Sequence, residues 1–278
     1  MTKSRIDARF AALKVEDRAA FVPYVMAGDP DAATAAAILK GLPAAGADLI
    51  ELGFPFSDPM AEGPPIQRSA GRALAAGMTM DGVLDLVRGF RASDETTPLI
   101  LMGYMNLVLH RGIEAFARDA AEAGVDGLIV VDCPPEEAGP LADALDAAGV
   151  SLIRLATPTT DDARLKVVVS RTSGFVYYVS VAGVTGVKEA DARAVAPHVA
   201  RVRKASGLPV AVGFGIRTPE RAAAVARVAD AVVVGSALVD EVAKAVEMNE
   251  DVTGRVLSKV DTLAKAVRFA RVGQTTTV

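Results

Sequence analysis

The hydrophobic positions of this chain fall into short apolar runs separated by longer amphipathic stretches, and one junction between them recurs. It consists of a helix end rich in small residues, a glycine and a short apolar strand, and it occurs at Gly46, Gly124 and Gly149. Glycine suits the position just beyond a helix because it adopts the left-handed conformation without a Cβ penalty. The runs that follow are apolar on both faces, which is typical of parallel strands covered by helices. Repeated units of this kind indicate an α/β protein.

Eight such runs predict eight strands. The predicted strands are 21–26, 49–53, 99–103, 127–132, 151–156, 175–180, 210–214 and 231–235. Ala-rich helical stretches lie between most of them, as at 31–42, 112–123, 137–148 and 217–228. We also expect a short N-terminal helix at 4–13, a last helix at 256–270 and a frayed tail at 271–278.

Eight alternating units over 278 residues favour a closed eightfold β/α (TIM) barrel, formed as a single domain over residues 1–278. A doubly wound open sheet is the alternative, because a count of strands alone does not prove closure. No stretch has the length and composition of a linker that would divide the chain.

Composition and charge exclude several classes of function. The 30 basic and 34 acidic residues are scattered, so no basic patch points to nucleic acid. Cys133 is the only cysteine, which excludes an internal disulfide and a cysteine zinc cluster, and we predict no metal site. His110 and His198 are far apart, and we expect surface or capping roles for both.

The chain also lacks the signals of export and membrane insertion. No apolar run reaches the roughly 18 to 20 residues that span a bilayer. The first residues, Met1 to Arg9, contain no apolar segment of the kind found in secretory signals. These features predict a cytoplasmic protein without a membrane partner.

Glu51 places a carboxylate inside the second predicted strand, at the position that Ile129 takes in the fourth. Burying an unpaired carboxylate is costly, and desolvation raises its pKa, which suits general acid–base catalysis. The other interpretation is a structural ion pair, for which Arg154, at the matching position of the fifth strand, is a conceivable partner. The position favours catalysis over the ion pair.

The stretch from Phe54 to Pro65 follows that strand and contains four prolines, one glycine and two acids. It is long for a connection from strand to helix, where about 2 to 6 residues is usual. Such loops are commonly lids or binding loops, although an ordinary surface loop is also compatible with the pattern.

Glycines cluster at the ends of the sixth, seventh and eighth predicted strands. They are Gly183 and Gly186, Gly213 and Gly215, and Gly235, which is followed by Ser236. Glycine lets backbone N–H groups approach an anion closely, and a helix that opens at Ser236 would add its positive N-terminus. Because barrels commonly bind phosphate after strands seven and eight, we predict a phosphate site here, with turn formation as the alternative.

Tyr177 and Tyr178 are adjacent in the sixth predicted strand. Because side chains alternate along a strand, one ring must face the barrel interior and the other the helix layer. The ring that faces inward can contact a ligand. Cys133, between Asp132 and Pro134, has no base beside it and is predicted to be a small packed or edge residue.

Several of these segments resemble the tryptophan synthase α chain family. They are Phe21 to Pro30, Ile50 to Pro64, Gly183 to Gly186, Gly213 to Ile216 and the pair Gly235-Ser236. The matches run in order from about residue 5 to 270, and the segment Glu-Leu-Gly-Phe-Pro-Phe-Ser-Asp-Pro is highly specific. The glycine pairs alone are shared by several phosphate-binding barrels.

The resemblance implies a retro-aldol cleavage of indole-3-glycerol phosphate to indole and glyceraldehyde 3-phosphate. It assigns the acid–base role to Glu51 and a second role, holding the indole N–H as positive charge develops, to Glu62. The family usually has Asp at the second position. Glu keeps the charge but adds one methylene, so activity is expected to survive while the rate is in doubt.

The resemblance also distributes the binding roles. Phosphate contacts fall on Gly186, Gly215, Gly235 and Ser236. The indole pocket falls on Tyr24, Met102, Ile129, Tyr177 and Phe214. Thr185 falls on a second mobile loop that would couple to the Glu62 loop on closure.

The implied partner is a β subunit that carries pyridoxal phosphate and receives the indole, in an α2β2 heterotetramer. Asp58, Asn106 and Pro134 occupy the positions that contact it, and no cofactor is expected in this chain. Two alternatives remain open. One is a catalytically weak α chain that acts mainly as an allosteric partner, which the Glu62 change motivates. The other is a different phosphate-binding barrel of the same pathway, which the Glu51 and Glu62 signature disfavours.

Overall fold

The computed structural model describes residues 4–179, 192–213 and 215–272. Its eight parallel strands close into a barrel in sequence order. The strands are β1 (Ala20–Met26), β2 (Ile50–Gly53), β3 (Leu99–Gly103), β4 (Gly127–Val130), β5 (Ser151–Ala156), β6 (Val176–Val179), β7 (Val210–Gly213) and β8 (Ala231–Val234). Closure comes from the pairing of β1 with β8, in which Ala20 lies opposite Ala231. The predicted eightfold barrel is therefore confirmed, and the open sheet is wrong.

Helices surround the barrel. They are α1 (Arg5–Val15), α2 (Ala32–Gly41), α3 (Pro64–Ala75), α4 (Met80–Arg91), α5 (Met105–Arg111), α6 (Ile113–Ala123), α7 (Gly139–Ala148), α8 (Asp162–Val169), α9 (Ala192–Ser206), α10 (Pro219–Ala226), α11 (Ser236–Met248) and α12 (Val252–Arg268). The predicted N-terminal and last helices are α1 and α12, and most of the frayed-tail prediction falls outside the described residues. The single-domain division stays a prediction.

The glycine junctions behave as expected at two of the three positions. Gly124 and Gly149 directly follow α6 and α7 in the left-handed conformation, with φ of 95° and 74°. Gly46 also has positive φ, at 102°, but α2 ends five residues earlier. The reason is Pro43, which lacks the N–H that a further helical turn needs. The chain reaches Gly46 through turns instead.

Strand β4 is shorter than the predicted 127–132. It ends at Val130 because the chain then turns away from the ladder, and the Asp132 carboxylate accepts a hydrogen bond from the backbone N–H of Met105 at 2.8 Å. This contact joins the ends of two neighbouring strands at the C-terminal face of the barrel.

Three aspartates stabilise the opposite, N-terminal end of the barrel. Asp48, Asp126 and Asp230 each stand just before a strand, and each accepts a hydrogen bond from a backbone N–H at the start of the preceding strand, from its first or second residue. The distances are 2.9 Å to Phe21, 2.8 Å to Leu99 and 2.8 Å to Val210.

Arginines neutralise the same three carboxylates. Arg18 pairs with Asp48 at 2.8 Å, Arg91 with Asp126 at 2.5 Å, and Arg203 with Asp230 at 3.0 Å. Asp48 and Asp126 are buried, and a buried carboxylate is tolerated when it is paired and its remaining lone pairs are hydrogen-bonded. These residues therefore serve the frame that positions the strands.

Candidate active site

Glu51 lies on β2 with its side chain in the barrel interior. It is in register with Tyr24 on β1 and Ile100 on β3, and it is 2% exposed. Among the described residues, its Oε2 has no hydrogen-bond partner. Burial raises the pKa of the Glu51 carboxyl to about 8, with the charge of Glu62 adding to the effect. The residue can therefore hold a proton at neutral pH and release it to a nearby acceptor.

The interpretation of Arg154 as a partner for Glu51 is wrong. Glu51 shares its face with Ile100, which is in register with Gly127, and Gly127 is in register with Ser151. Side chains alternate along β5, so Arg154 points to the opposite face, toward the helix layer. Its guanidinium donates instead to the carbonyl oxygen of Cys133, at 3.3 Å.

Glu62 reaches the same pocket from the loop between β2 and α3. It is 7% exposed, and desolvation raises the pKa of its carboxyl to about 7. The backbone fixes its position, because its N–H donates to the carbonyl of Pro59 at 3.0 Å and its carbonyl accepts from the Gln67 side chain at 2.9 Å. The loop predicted from Phe54 to Pro65 thus ends in the first turn of α3, which begins at Pro64.

Tyr104, which the sequence reasoning missed, holds this loop. Its hydroxyl oxygen accepts a hydrogen bond from the backbone N–H of Ala61 at 3.0 Å, and its ring lies 5.3 Å from the ring of Phe56. Burial, followed by the charge of Glu62, raises the pKa of the Tyr104 hydroxyl. The one sequence signal was the position of Tyr104 directly after β3, at the end of the barrel where reactive groups gather.

The two carboxylates open into a cavity at the C-terminal face, with an empty volume of about 490 Å³. Eight of the predicted site residues line it: Tyr24, Glu51, Glu62, Met102, Tyr177, Gly215, Gly235 and Ser236. Ile66, Ile216 and Val233 also line it and were not predicted. The wall is thus largely apolar, with its two acids on one side.

Of the predicted site residues that the structure describes, Ile129 is not among the cavity lining. Ile129 is fully buried and in register with Met102, one of the residues that do line the cavity. Gly186, Thr185 and Phe214 lie outside the described residues.

Two tyrosines occupy space that glycines provide. A Cβ added at Gly53 would lie 2.1 Å from the hydroxyl oxygen of Tyr24, and one added at Gly213 would lie 2.0 Å from that of Tyr177. Each phenol therefore lies directly over the backbone of the next strand. Tyr178 faces the helix layer, where its ring stacks on His198 at a centroid distance of 5.7 Å. The prediction that one of the adjacent tyrosines faces inward is confirmed.

The helix α11 begins at the edge of the cavity. Gly235 is its N-cap and provides no side-chain cap, so the first N–H groups of the helix are not satisfied by that residue. Gly215, on the neighbouring strand end, has a φ of 72° that favours glycine. A helix N-terminus with accessible N–H groups and a positive dipole end is suited to an anionic group such as phosphate.

The three predicted partner positions are exposed at the same face of the barrel. Asp58 lies on the loop after β2, Asn106 in the first turn of α5 after β3, and Pro134 on the loop after β4. His110 is exposed in the last turn of α5. Cys133 is half-buried on the loop after β4, as predicted for an edge residue.

Over the described ranges, no group of three or more His, Cys, Asp or Glu side chains is arranged to hold a metal ion. None of the helices in the same ranges is long and apolar enough to cross a membrane.

The closed parallel barrel, with ionisable groups gathered at the C-terminal ends of its strands, defines a TIM-barrel protein with an enzyme-like pocket. A family model described as tryptophan synthase alpha chain matches residues 10–268. The chain belongs to this family, whose members act in tryptophan synthesis.

Relatives and solved structures agree with the family model. The chain is 85% identical to the tryptophan synthase alpha chain of Phenylobacterium zucineum and 75% identical to that of Caulobacter sp. strain K31, each over 98% of both chains. The crystal structure of tryptophan synthase subunit alpha from Legionella pneumophila has a TM-score of 0.90 and 41% identity, covering 96% of this chain and 99% of that one. A chain of Mycobacterium tuberculosis tryptophan synthase has a TM-score of 0.86 and 36% identity, covering 95% and 98%.

Proposed function

We propose that the chain catalyses the retro-aldol cleavage of indole-3-glycerol phosphate to indole and glyceraldehyde 3-phosphate, as a carbon–carbon lyase. The observation that carries the proposal is the buried Glu51 carboxyl, with an oxygen that has no hydrogen-bond partner among the described residues and a pKa raised to about 8. Such a group starts the reaction protonated. It can give its proton to C3 of the indole ring and then accept one from the hydroxyl group on the adjacent carbon.

Glu62 supplies the complementary charge. Protonation of the ring at C3 leaves positive charge on the indole nitrogen, which a carboxylate near the N–H stabilises. The pKa of Glu62, about 7, is lower than that of Glu51, about 8. When the two share one proton, Glu51 is therefore the favoured holder and Glu62 the ion. Cleavage of the carbon–carbon bond returns the electrons to the ring, and the products are neutral indole and the aldehyde.

The remaining parts of the cavity fit the rest of the substrate. Tyr24, Met102 and Tyr177 offer an apolar wall to the indole ring, with Ile129 opposite Met102 on the neighbouring strand. The N-terminus of α11 at Gly235 and Ser236, together with Gly215, offers N–H groups to the phosphate. Gly186, Thr185 and Phe214 belong to the proposal through the family resemblance alone.

The proposal includes a partner. Asp58, Asn106 and Pro134 are exposed at the pocket face after three adjacent strands, which supports contact with a tryptophan synthase β subunit in an α2β2 heterotetramer. Pyridoxal phosphate belongs to that subunit in the proposal, and this chain carries no cofactor. A cytoplasmic location stays a prediction.

The test is indole release from indole-3-glycerol phosphate by the purified chain, with and without a β subunit. We expect release by the chain alone and a sharp rise with the partner, because loop closure around the substrate would exclude water and complete the site. Binding of the substrate without release under either condition would support the second candidate, a regulatory α chain. The structure favours catalysis over that candidate, since Glu62 lies in the same pocket as Glu51 despite its longer side chain.

A further inference from the structure

A second cavity lies on the outer side of the barrel, between the end of β5, the loop after β4 and helix α8. Its empty volume is about 1010 Å³, including space open to solvent, on the measure that gives about 490 Å³ for the interior pocket. Val130, Leu152 and Val168 give it apolar walls, and Arg154, Thr157 and Thr160 bring polar groups. Because Arg154 faces the helix layer, this cavity is separate from the interior pocket that contains Glu51.

The Arg154 guanidinium is the unusual feature of this cavity. The residue is 7% exposed. Among the described residues, it donates one hydrogen bond, to the carbonyl oxygen of Cys133 at 3.3 Å, and it forms no ion pair. Desolvation lowers the pKa of the Arg154 guanidinium, and the nearby Cys133 and Glu136 only partly oppose that effect. A guanidinium has five N–H donors and stays protonated in proteins, so this one is a buried cation with donors to spare.

The other charged groups at the cavity are already engaged. Arg164 is paired with Glu136, with one of its contacts at 3.1 Å. The carboxylate of Asp132 accepts from the backbone N–H of Met105 at 2.8 Å. Among the described residues that line the cavity, Arg154 is thus the one cation without an acidic partner.

We propose that this cavity binds a small organic carboxylate with an apolar body. The carboxylate would form a bidentate pair with Arg154, and the body would rest on Val130, Leu152 and Val168. The apolar walls favour an organic anion over inorganic phosphate. The recessed position of Arg154, compared with the exposed rim residue Pro134, favours a small molecule over a side chain of a protein partner. The proposal is independent of the reaction at Glu51.

Cys133 gives a direct readout, because it is the only cysteine of the chain, lines this cavity and is half-buried. The experiment measures the rate of its alkylation by iodoacetamide, followed by intact mass, in the full chain with and without benzoate. We expect benzoate to slow alkylation, with half of the effect at roughly a few millimolar. Benzamide has nearly the same shape without the charge, and we expect it to bind at least about tenfold more weakly.

Two substitutions test whether the Arg154 guanidinium itself binds benzoate or whether any nearby positive charge has the same effect. Arg154→Met keeps an apolar stem and removes the charge, so protection by benzoate should weaken at least about tenfold. Protection is compared within each variant, because loss of the charge also alters the thiol itself. Arg171→Met is the matched control, since Arg171 is exposed and paired with Asp143 outside the cavity, and it should leave protection unchanged. If Arg154→Met does not fold, Arg154→Lys keeps the charge without the fork and should show weaker protection than the original chain.

Four results would overturn the proposal. The first is that benzoate does not protect Cys133 at concentrations up to about 50 mM. The second and third are that benzamide or inorganic phosphate protects Cys133 as well as benzoate does. The fourth is that Cys133 is protected only when a β subunit is present, and that this protection requires Arg154. The last would show that the guanidinium serves a protein carboxylate.

Discussion

Buried carboxylates lie at both ends of this barrel, and their surroundings differ. Asp48 and Glu51 are three residues apart, and each is 2% exposed. Asp48 accepts from Arg18 through both of its oxygens and from the backbone N–H of Phe21. Glu51 has an oxygen without a partner among the described residues and a pKa raised to about 8.

The difference shows that burial alone does not identify a reactive acid. At the N-terminal end, arginines and backbone N–H groups pair with the carboxylates, and these contacts hold the strands in place. At the C-terminal end, apolar neighbours and a second acid disfavour the charge, and the result is a group that can exchange a proton. The set of partners decides between the two roles.

The largest effect is expected from Glu51→Gln. The amide cannot transfer the proton, so indole release should fall by at least about 1,000-fold, within the range of general acid–base catalysis. Circular dichroism should show an intact fold, because Gln has the same size. The control is Glu247→Gln, the same chemical change at an exposed site on α11, which should keep full activity. Near-normal turnover by Glu51→Gln would remove Glu51 from the mechanism.

Much of the barrel could be predicted because its signals are local. The strands have continuous apolar runs, and α6 and α7 end at glycines with positive φ. The errors arose where a contact distant in sequence, or a single residue, overrode the pattern. Asp132 binds the N–H of Met105 and ends β4 early, and Pro43 ends α2 well before Gly46.

Some residues of the site were predicted and others were not, because their positions depend on the register between strands and on contacts distant in sequence. Glu51 was identified from its position in an apolar run, which is a local property. The face on which Arg154 lies depends on how β5 aligns with β4, and the spacing from a preceding glycine does not fix that alignment. Tyr104 was missed because its contact with Ala61 joins residues 43 apart in sequence.

The second largest effect is expected from removing one of the aspartates that pair with arginines at the N-terminal end of the barrel. Asp126→Ala removes the partner of Arg91 and the acceptor for the N–H of Leu99, so the free energy of unfolding should fall by about 3 kcal/mol or more. Urea denaturation measures the change. The matched control is Asp85→Ala, which removes an exposed pair with Arg88 and should cost less than about 1 kcal/mol. Equal losses in both variants would mean that the aspartates of the frame contribute no more than surface charges.

The smallest expected effect is the pH dependence that Glu51 gives to the stability of the fold. A carboxyl whose pKa is raised by folding, as for Glu51 at about 8, stabilises the fold fully at low pH, and this stability is lost as pH rises through the folded pKa. Between pH 6 and pH 8, Glu51 is ionised in the unfolded chain but largely keeps its proton in the fold. The free energy of unfolding should therefore fall by about 2 kcal/mol across this interval, because one pKa unit is about 1.4 kcal/mol.

Glu51→Gln has no such carboxyl, so its free energy of unfolding should not fall in this way. Urea titrations at each pH should show its stability rising relative to that of the original chain by about the same amount across the interval. Glu247→Gln should follow the original chain at every pH, because its side chain is exposed in the fold. Parallel profiles for Glu51→Gln and the original chain would mean that Glu51 ionises as easily in the fold as outside it. The contrast between the two ends of the barrel would then rest on hydrogen bonding alone, and the proton donor in the cleavage would have to be another group in the pocket.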